Sequence, residues 1–343
     1  MKKILSIDGG GVRGIIPGMV LIALEDKLKA KTGNPNAAIM DYFDFFAGTS
    51  TGGILTCLLL CPDDANPGRP KYSAREAVNL YLSQGSDIFK MSFLKKVLSG
   101  IGWVSERYDS TVFENVLESY FDKIRLSQLI KPCIISAYNI ELRKTHFFRQ
   151  QAAIKRGDIR DFYIKDVCRA TCAAPTYFSV AEIYSLANIR YPLLDGGVFA
   201  TNPALSALIE VTKTNADARI QDLFIVSLGT GASKRSYDYE YFKRSKAIAI
   251  VPALIDIMMS GVAETSDFFL KQIFTSLHKP NQYIRIDPAS LGSINERLDA
   301  AYDVNLKKLQ ALGDQTVSEK DALLNHIVDL LIEEHENLEA RKM

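Results

Sequence analysis

Histidine and tryptophan are scarce in this chain of 343 residues, with four of the first and one of the second. Any scheme that depends on imidazole therefore has only His146, His278, His326 and His335 to draw on. Excess charge is missing too, since 41 basic side chains face 40 acidic ones for a formal net charge of +1. Without a surplus or clustering of Lys and Arg, no nucleic-acid partner is expected. Near neutrality gives no long-range pull toward anionic membranes, so contact with lipid has to be local and apolar. Long hydrophobic runs are also absent. The longest uncharged stretch, residues 45–61, is shorter than a bilayer span and carries Thr49, Ser50, Thr51, Thr56 and three glycines, which excludes a transmembrane helix there. The opening Met1-Lys2-Lys3-Ile4-Leu5-Ser6-Ile7-Asp8 holds too few apolar residues for a signal peptide, so a cytoplasmic location, at most peripheral to a membrane, is expected.

Cysteine is sparse and odd in number: Cys57, Cys61, Cys133, Cys168 and Cys172. Free thiols in a reducing compartment fit this count better than disulfides. Cys57/Cys61 and Cys168/Cys172 are each four apart, but no His or acidic ligand stands at a partnering spacing. Core packing in apolar helices is expected, and no metal.

Strand and helix patterns alternate along the chain. Residues 3–7 form a short apolar strand leading into a glycine loop, and residues 15–31 have helical spacing up to Thr32-Gly33-Asn34-Pro35. Residues 42–47 read as a strand, 48–52 as a turn and 53–61 as an apolar helix stopped by Pro62. Helices are expected at 73–89, 110–121 and 165–172, and strands at 132–138, 145–149, 191–194 and 223–228. From residue 248 onward the chain is mainly helical, with one strand at 282–286 and amphipathic helices at 296–312 and 318–340. This order predicts an α/β layered sheet in one domain over residues 1–343, with a catalytic core of about 1–235 and a helical C-terminal part of about 245–343 packed on it. The apolar stretch 247–263, with Pro252, Ile255, Met258 and Met259, reads as a core helix, a cap on an acyl pocket or a surface that rests on lipid.

Gly48-Thr49-Ser50-Thr51-Gly52 is a G-x-S-x-G pattern between an expected strand and an expected helix, the setting of a nucleophile elbow. Only small neighbours, here Gly48 and Gly52, tolerate the strained turn that lifts the serine hydroxyl toward the positive end of the next helix. Asp8-Gly9-Gly10-Gly11-Val12-Arg13-Gly14 also joins a strand to a helix. Its successive amides, at Gly9, Gly10 and Gly11, can converge on one anionic oxygen. The same stretch satisfies the dinucleotide fingerprint Gly9-x-Gly11-x-x-Gly14, although Asp8 would then sit beside the phosphates. Arg13 is either a substrate contact, reaching a carboxylate or lipid phosphate, or a structural ion-pair partner.

A nucleophilic serine needs a base. His326 and His335 lie on a charge-rich helix and His146 lies among phenylalanines, which leaves His278, in a loop after Asp195, to complete a Ser…Asp…His order. A carboxylate is the other choice, and Asp195, in Leu193-Leu194-Asp195-Gly196-Gly197, ends an apolar strand. An aspartate at about pKa 3.9 is a weak base at neutral pH, and lifting it three units takes about 4 kcal/mol of environmental perturbation. The bland alternative for Asp-Gly-Gly is a turn.

Together the motifs resemble the patatin family, which includes plant patatins and bacterial patatin-like phospholipases. The resemblance runs through Ser6-Ile7-Asp8-Gly9-Gly10-Gly11-Val12-Arg13-Gly14-Ile15-Ile16-Pro17, Gly48-Thr49-Ser50-Thr51-Gly52-Gly53, Ala173-Ala174-Pro175-Thr176-Tyr177-Phe178, Asp195-Gly196-Gly197 and Ser227-Leu228-Gly229-Thr230-Gly231. It implies a three-layer α/β/α fold with a central, mostly parallel sheet. It also implies lipid acyl hydrolysis by a Ser50–Asp195 dyad without a third histidine, with the amides of Gly9, Gly10 and Gly11 as oxyanion hole and no cofactor or calcium. The expected partner is a phospholipid or other acyl lipid at a membrane surface. A dormant effector switched on by a cyclic nucleotide, a homo-oligomer, and a non-catalytic lipid-binding or storage protein stay open at this level.

Overall fold

The alternation of apolar strands with helices builds one mixed sheet between two helical layers. The computed structural model describes residues 1–88, 110–215, 218–231, 236–245 and 247–340. Within them the strands are β1 (Lys2–Ile7), β2 (Phe45–Thr49), β3 (Cys133–Asn139), β4 (Lys144–Arg149), β5 (Ala181–Tyr184), β6 (Arg190–Asp195), β7 (Leu223–Leu228) and β8 (Tyr283–Ile286). The sheet order is β5-β6-β3-β2-β1-β7-β8, with β4 also paired to β3. From β3 through β8 neighbours run parallel, while β4, β6 and β5 are antiparallel additions at one end.

Successive strand residues point to opposite faces, and the central strands are apolar on both. Leu5, Ile7, Phe46, Ile135 and Val226 enter the larger core, whereas Ile4, Phe45, Ala47 and Ile225 enter a second one. Helices Ile15–Thr32, Thr51–Leu60, Ala74–Ile88, Ser110–Phe121 and Ile164–Thr171 cover the first face. The C-terminal helices Asp303–Glu319 and Asp321–Ala340 join that layer through Leu309, Leu324 and Val328. Ala204–Thr214 and Ala247–Ser276 cover the second face, the latter through Leu270 and Phe274.

The register around β3 decides the site. β4 pairs with β3 from Ile134 to Asn139 and so occupies one whole edge. β2 and β6 must share the other edge: Thr49 pairs with Ser136, and Asp195 pairs with the very next residue, Ala137. The C-terminal ends of a parallel and an antiparallel strand therefore meet there.

Several expected elements shift. The strand expected at 42–47 is β2, because Ile39–Tyr42 is a helical turn with Asp41 accepting from the Ala38 amide at 2.9 Å. The helix expected at 296–312 starts only at Asp303. The segment before it is tied as a loop by buried Asn305, which accepts from the Asn295 amide at 2.9 Å and donates to the carbonyls of Asn295 at 3.2 Å and Ala300 at 2.9 Å. β5 alternates buried and exposed residues but has only four of them, too short a period to read beforehand. Helix Ala204–Thr214 was legible from Asn202-Pro203, since Asn202 Oδ1 accepts from the Ala204 amide at 3.0 Å, yet it was not anticipated. Phe89, expected to end the helix from Ser73, and residue 235, the expected edge of the core, lie outside the described residues.

Removing the Asn305 side chain would leave buried polar groups of the loop without partners. Asn305→Ala is expected to lower stability by about 1–3 kcal/mol in urea unfolding, and a change close to zero would show that the loop finds other partners.

Candidate active site

Ser50 stands between β2 and helix Thr51–Leu60 with φ 53° and ψ −123°, a backbone region unfavourable to any side chain but glycine. Close packing holds it there. A Cβ at Gly48 would come within 2.4 Å of the Gly52 carbonyl oxygen, and one at Gly52 within 2.2 Å of the Ile7 carbonyl oxygen, so both flanking positions require glycine. The Ser50 amide donates to Thr171 Oγ1 at 2.9 Å, and Thr171 donates onward to the Ser136 carbonyl at 2.7 Å. Thr49 Oγ1 donates to the Ala200 carbonyl at 2.6 Å, which makes Ser136 Oγ the donor in its own 2.6 Å contact with Thr49. Thr171 and Ser136 were not singled out in the sequence, because lone hydroxyl residues in apolar segments carry no motif.

Asp195, at the end of β6, is 2 % exposed. Its Oδ1 accepts from the Gly197 amide at 2.6 Å, while Oδ2 is buried with no hydrogen-bond partner among the described residues. Burial pushes its pKa up to about 7; the Gly197 amide and the neighbouring Ser50 hydroxyl oppose the rise by stabilising the charged form. The Ser50 hydroxyl itself points toward Cys172 Sγ at 3.8 Å. Met259 packs at Gly197, where a Cβ would lie 2.9 Å from its Cε, and helps to exclude water from the carboxylate.

In the glycine loop the three candidate amides are not equivalent. The Gly9 amide donates to the Thr201 carbonyl at 3.0 Å, so it is already engaged, contrary to the expectation that all three are free. Gly10 and Gly11 have no acceptor for their amides among the described residues. Gly11 has φ +58° and sits so close to the Leu298 carbonyl that a Cβ would meet it at 2.3 Å. Gly9 lies against Ser50, whose Cβ would be 3.3 Å from a Cβ placed there.

Arg13 is buried, and it also borders a cavity with Asp8, Thr230 and Glu264. Its Nε donates to the Gly10 carbonyl at 3.3 Å and its Nη1 to the Gly231 carbonyl at 3.1 Å, so it braces the loop from inside. The ion pair of this region belongs to Asp8, which takes Arg285 in a two-pronged contact at 3.0 and 2.6 Å; Arg285 also reaches Asp287 at 2.9 Å. Burial lifts the Asp8 pKa to about 6 against the pull of Arg285. Arg285, inside the expected strand at 282–286, and Asp287, just after it, had no sequence signal beyond that placement.

No described contact links a histidine to Asp195 or Ser50. His278 is exposed on the turn after Ala247–Ser276. His146 pairs with Ala137 on the edge of β3 opposite Asp195, but its ring lies among Phe148, Phe162 and Tyr191, and burial lowers its pKa to about 4. His326 is exposed and His335 leans on Tyr42. All five cysteines are buried and free. Among the described residues no group of three or more His, Cys, Asp or Glu could hold a metal ion, and no helix is long and apolar enough to cross a membrane.

An apolar pocket with ≈ 560 Å³ of empty space, its open mouth included, adjoins Ser50 and Gly11. Ile54, Leu80, Tyr81, Ile88, Phe113 and Phe178 form much of its wall. None of the described side chains of residues 247–263 lines it. Their helix instead buries Met259 beside Gly197 and exposes Leu254, Ile257 and Met258, while the side chains of Ala247, Ile248, Ala249 and Pro252 lie outside the described residues.

A three-layer α/β fold that carries a serine in a strand-to-helix elbow defines the class of architecture. The family model described as patatin-like phospholipase matches residues 5–208. Patatin-like protein 1 of Arabidopsis thaliana is 32% identical over 355 residues, covering 95% of this chain and 83% of that protein. Patatin group J-1 of Solanum tuberosum is 29% identical over 331 residues, covering 92% of this chain and 83% of its own. The chain belongs to the patatin-like phospholipase family. A solved structure of human GIVD cytosolic phospholipase A2, in complex with methyl gamma-linolenyl fluorophosphonate and terbium chloride, aligns with 12% identity and a TM-score of 0.41. That alignment covers 97% of this chain and 59% of the human one.

The raised pKa of Asp195 carries a sign for stability. Folding favours the protonated carboxyl, so its contribution is fully present below the unfolded value near 4 and is lost as pH rises through about 7. Three units correspond to at most about 4 kcal/mol. Asp195→Asn removes this titration, so its melting temperature relative to wild type is expected to climb between pH 4 and pH 8. An offset that does not change with pH would contradict the burial argument.

Proposed function

We propose that the protein is a serine acyl hydrolase that cleaves fatty acyl esters of lipids, with Ser50 as nucleophile and Asp195 as its base. The observation that carries this reading is the buried Oδ2 of Asp195, which lacks a hydrogen-bond partner among the described residues, beside a serine held in an elbow. Membership in the patatin-like phospholipase family supports an acyl-lipid substrate, and the apolar pocket at Ser50 supports an acyl chain next to the reacting ester. Leu254, Ile257 and Met258, exposed on the helix that covers Asp195, support contact with a lipid surface.

Ser50 Oγ forms a bond to the ester carbonyl carbon as its proton passes to Asp195 Oδ2. The carbonyl oxygen becomes an oxyanion, held by the amides of Gly10 and Gly11 and by the positive end of helix Thr51–Leu60. Collapse breaks the bond to the alcohol, which leaves with the proton from Asp195, and an acyl-Ser50 ester remains. Water then attacks that ester and gives a proton to Asp195; the second collapse releases the fatty acid and returns the proton to Ser50. A carboxylate can fill the role usually given to histidine because burial brings its pKa to about 7, where uptake and return of a proton are balanced near neutral pH.

Labelling with a fluorescent fluorophosphonate and fatty-acid release from mixed phospholipid vesicles test the reading together. Both are expected in wild type and neither in Ser50→Ala, which should fold normally; a labelled, active Ser50→Ala protein would refute the assignment. The rate is expected to rise with pH through about 7 as Asp195 loses its proton. Asp195→Asn should lose activity by a factor on the order of 10²–10⁴ at every pH, and a pH profile without an inflection near neutrality would remove Asp195 from the base role.

A further inference from the structure

Thr230 follows β7, far from Ser50 in the chain; it stands in the Ser227-Leu228-Gly229-Thr230-Gly231 stretch of the family resemblance, which carries none of the candidate site residues. It is 4 % exposed, and its Oγ1 donates to the Gly9 carbonyl at 2.9 Å. That carbonyl shares a peptide plane with the Gly10 amide. The plane is trans, as there is no cis bond among the described residues, so fixing the C=O on one side fixes the N–H on the other. The Gly10 amide is one of the two left without an acceptor. Thr230 also presses on Gly10 itself, where a Cβ would fall 2.3 Å from its Oγ1.

The threonine is in turn firmly held. Gly229 donates to the Ile286 carbonyl at 2.8 Å and Gly231 to Asp287 Oδ1 at 2.8 Å, and Asp287 is locked by Arg285. A hydroxyl on so rigid a turn does more than fill space. We propose that Thr230 is a positioning residue of the oxyanion hole, its hydroxyl fixing the Gly9–Gly10 peptide so that the Gly10 N–H faces the ester oxygen as charge develops there. The inference rests on the acyl-hydrolase reading of Ser50. An amide aimed in advance needs no reorientation in the transition state, so loss of the aim falls on kcat more than on KM.

Thr230→Val keeps the shape against Gly10 and removes the donor, while Thr230→Ser keeps the donor. With a soluble acyl ester, Thr230→Val is expected to lower kcat on the order of tenfold with KM changed less than about twofold, and Thr230→Ser to restore most of the rate. The ratio of ester to thionoester turnover should shrink in Thr230→Val, since sulfur makes weaker use of the amides. Wild-type kcat in Thr230→Val, equal impairment of Val and Ser variants, or a change in KM alone would overturn the proposal. If Thr230→Val does not fold, Thr230→Ala decides by the same readouts, with melting temperature as control. Turnover that survives Ser50→Ala would instead overturn the reading beneath it, whereas activity lost in Ser50→Ala and unchanged in Thr230→Val would refute the role of Thr230 alone.

Discussion

Ser136 and Ala137 are adjacent on β3, and each receives the end of a different strand: Thr49 closes β2 against the first and Asp195 closes β6 against the second. One strand is parallel to β3 and the other antiparallel, so the two chain ends arrive from opposite directions and stop at the same place. Much of the site depends on this meeting. A slip of one residue in either strand would turn Ser50 or Asp195 to the other face of the sheet. The surroundings leave no room for such a slip: Thr49 is bonded to Ser136 and to the Ala200 carbonyl, and a side chain at Gly196 would come within 2.1 Å of Ser136 Oγ.

Burial gives the carboxylate its character. In water an aspartate is too weak a base to matter near neutral pH, and among the polypeptide's usual remedies a histidine partner is not within reach of Asp195. Desolvation does the work instead, lifting the pKa to about 7 while the Gly197 amide keeps the charged form accessible. The layer that excludes water here is the helix Ala247–Ser276, whose Met259 packs at Gly197. The same burial opposes folding at alkaline pH. Stability at this position is exchanged for a carboxyl that titrates near neutrality.

A second constraint comes from the late part of the chain. Thr230, Arg285 and Asp287 lie around the glycine loop, and Arg13 ties that loop to Gly231. The glycines answer to distinct contacts. Gly10 leaves room for Thr230, and Gly11 has both the left-handed backbone and the close approach of the Leu298 carbonyl. Loop amides held this way are ready before a ligand arrives, which distinguishes an electrostatic site from a merely flexible turn.

Local pattern carried much of the legible content. Gly48 and Gly52 around Ser50 announced an elbow, because only glycine survives those approaches, and the apolar runs at β1, β2, β3 and β7 announced strands buried on both faces. Helix limits were less legible wherever a side chain far from the pattern set them, as Asn305 does for the segment before Asp303. Asp195 could be named as the candidate base, but its burial could not be read, since an exposed turn and a buried carboxylate have the same letters. Gly9 could not be told from Gly10, because the Thr201 carbonyl that engages its amide comes from a distant strand connection. The two carbonyls that Arg13 holds, at Gly10 and Gly231, could not be read from its place in the glycine loop. The sequence by itself determined the strained serine, the glycine loop and the order of strands and helices, all of which rest on contacts between near neighbours. Which amides stay free, which carboxylate loses its water and which hydroxyl holds the loop were decided only by tertiary structure, because desolvation and hydrogen bonding depend on groups that sequence distance does not bring together.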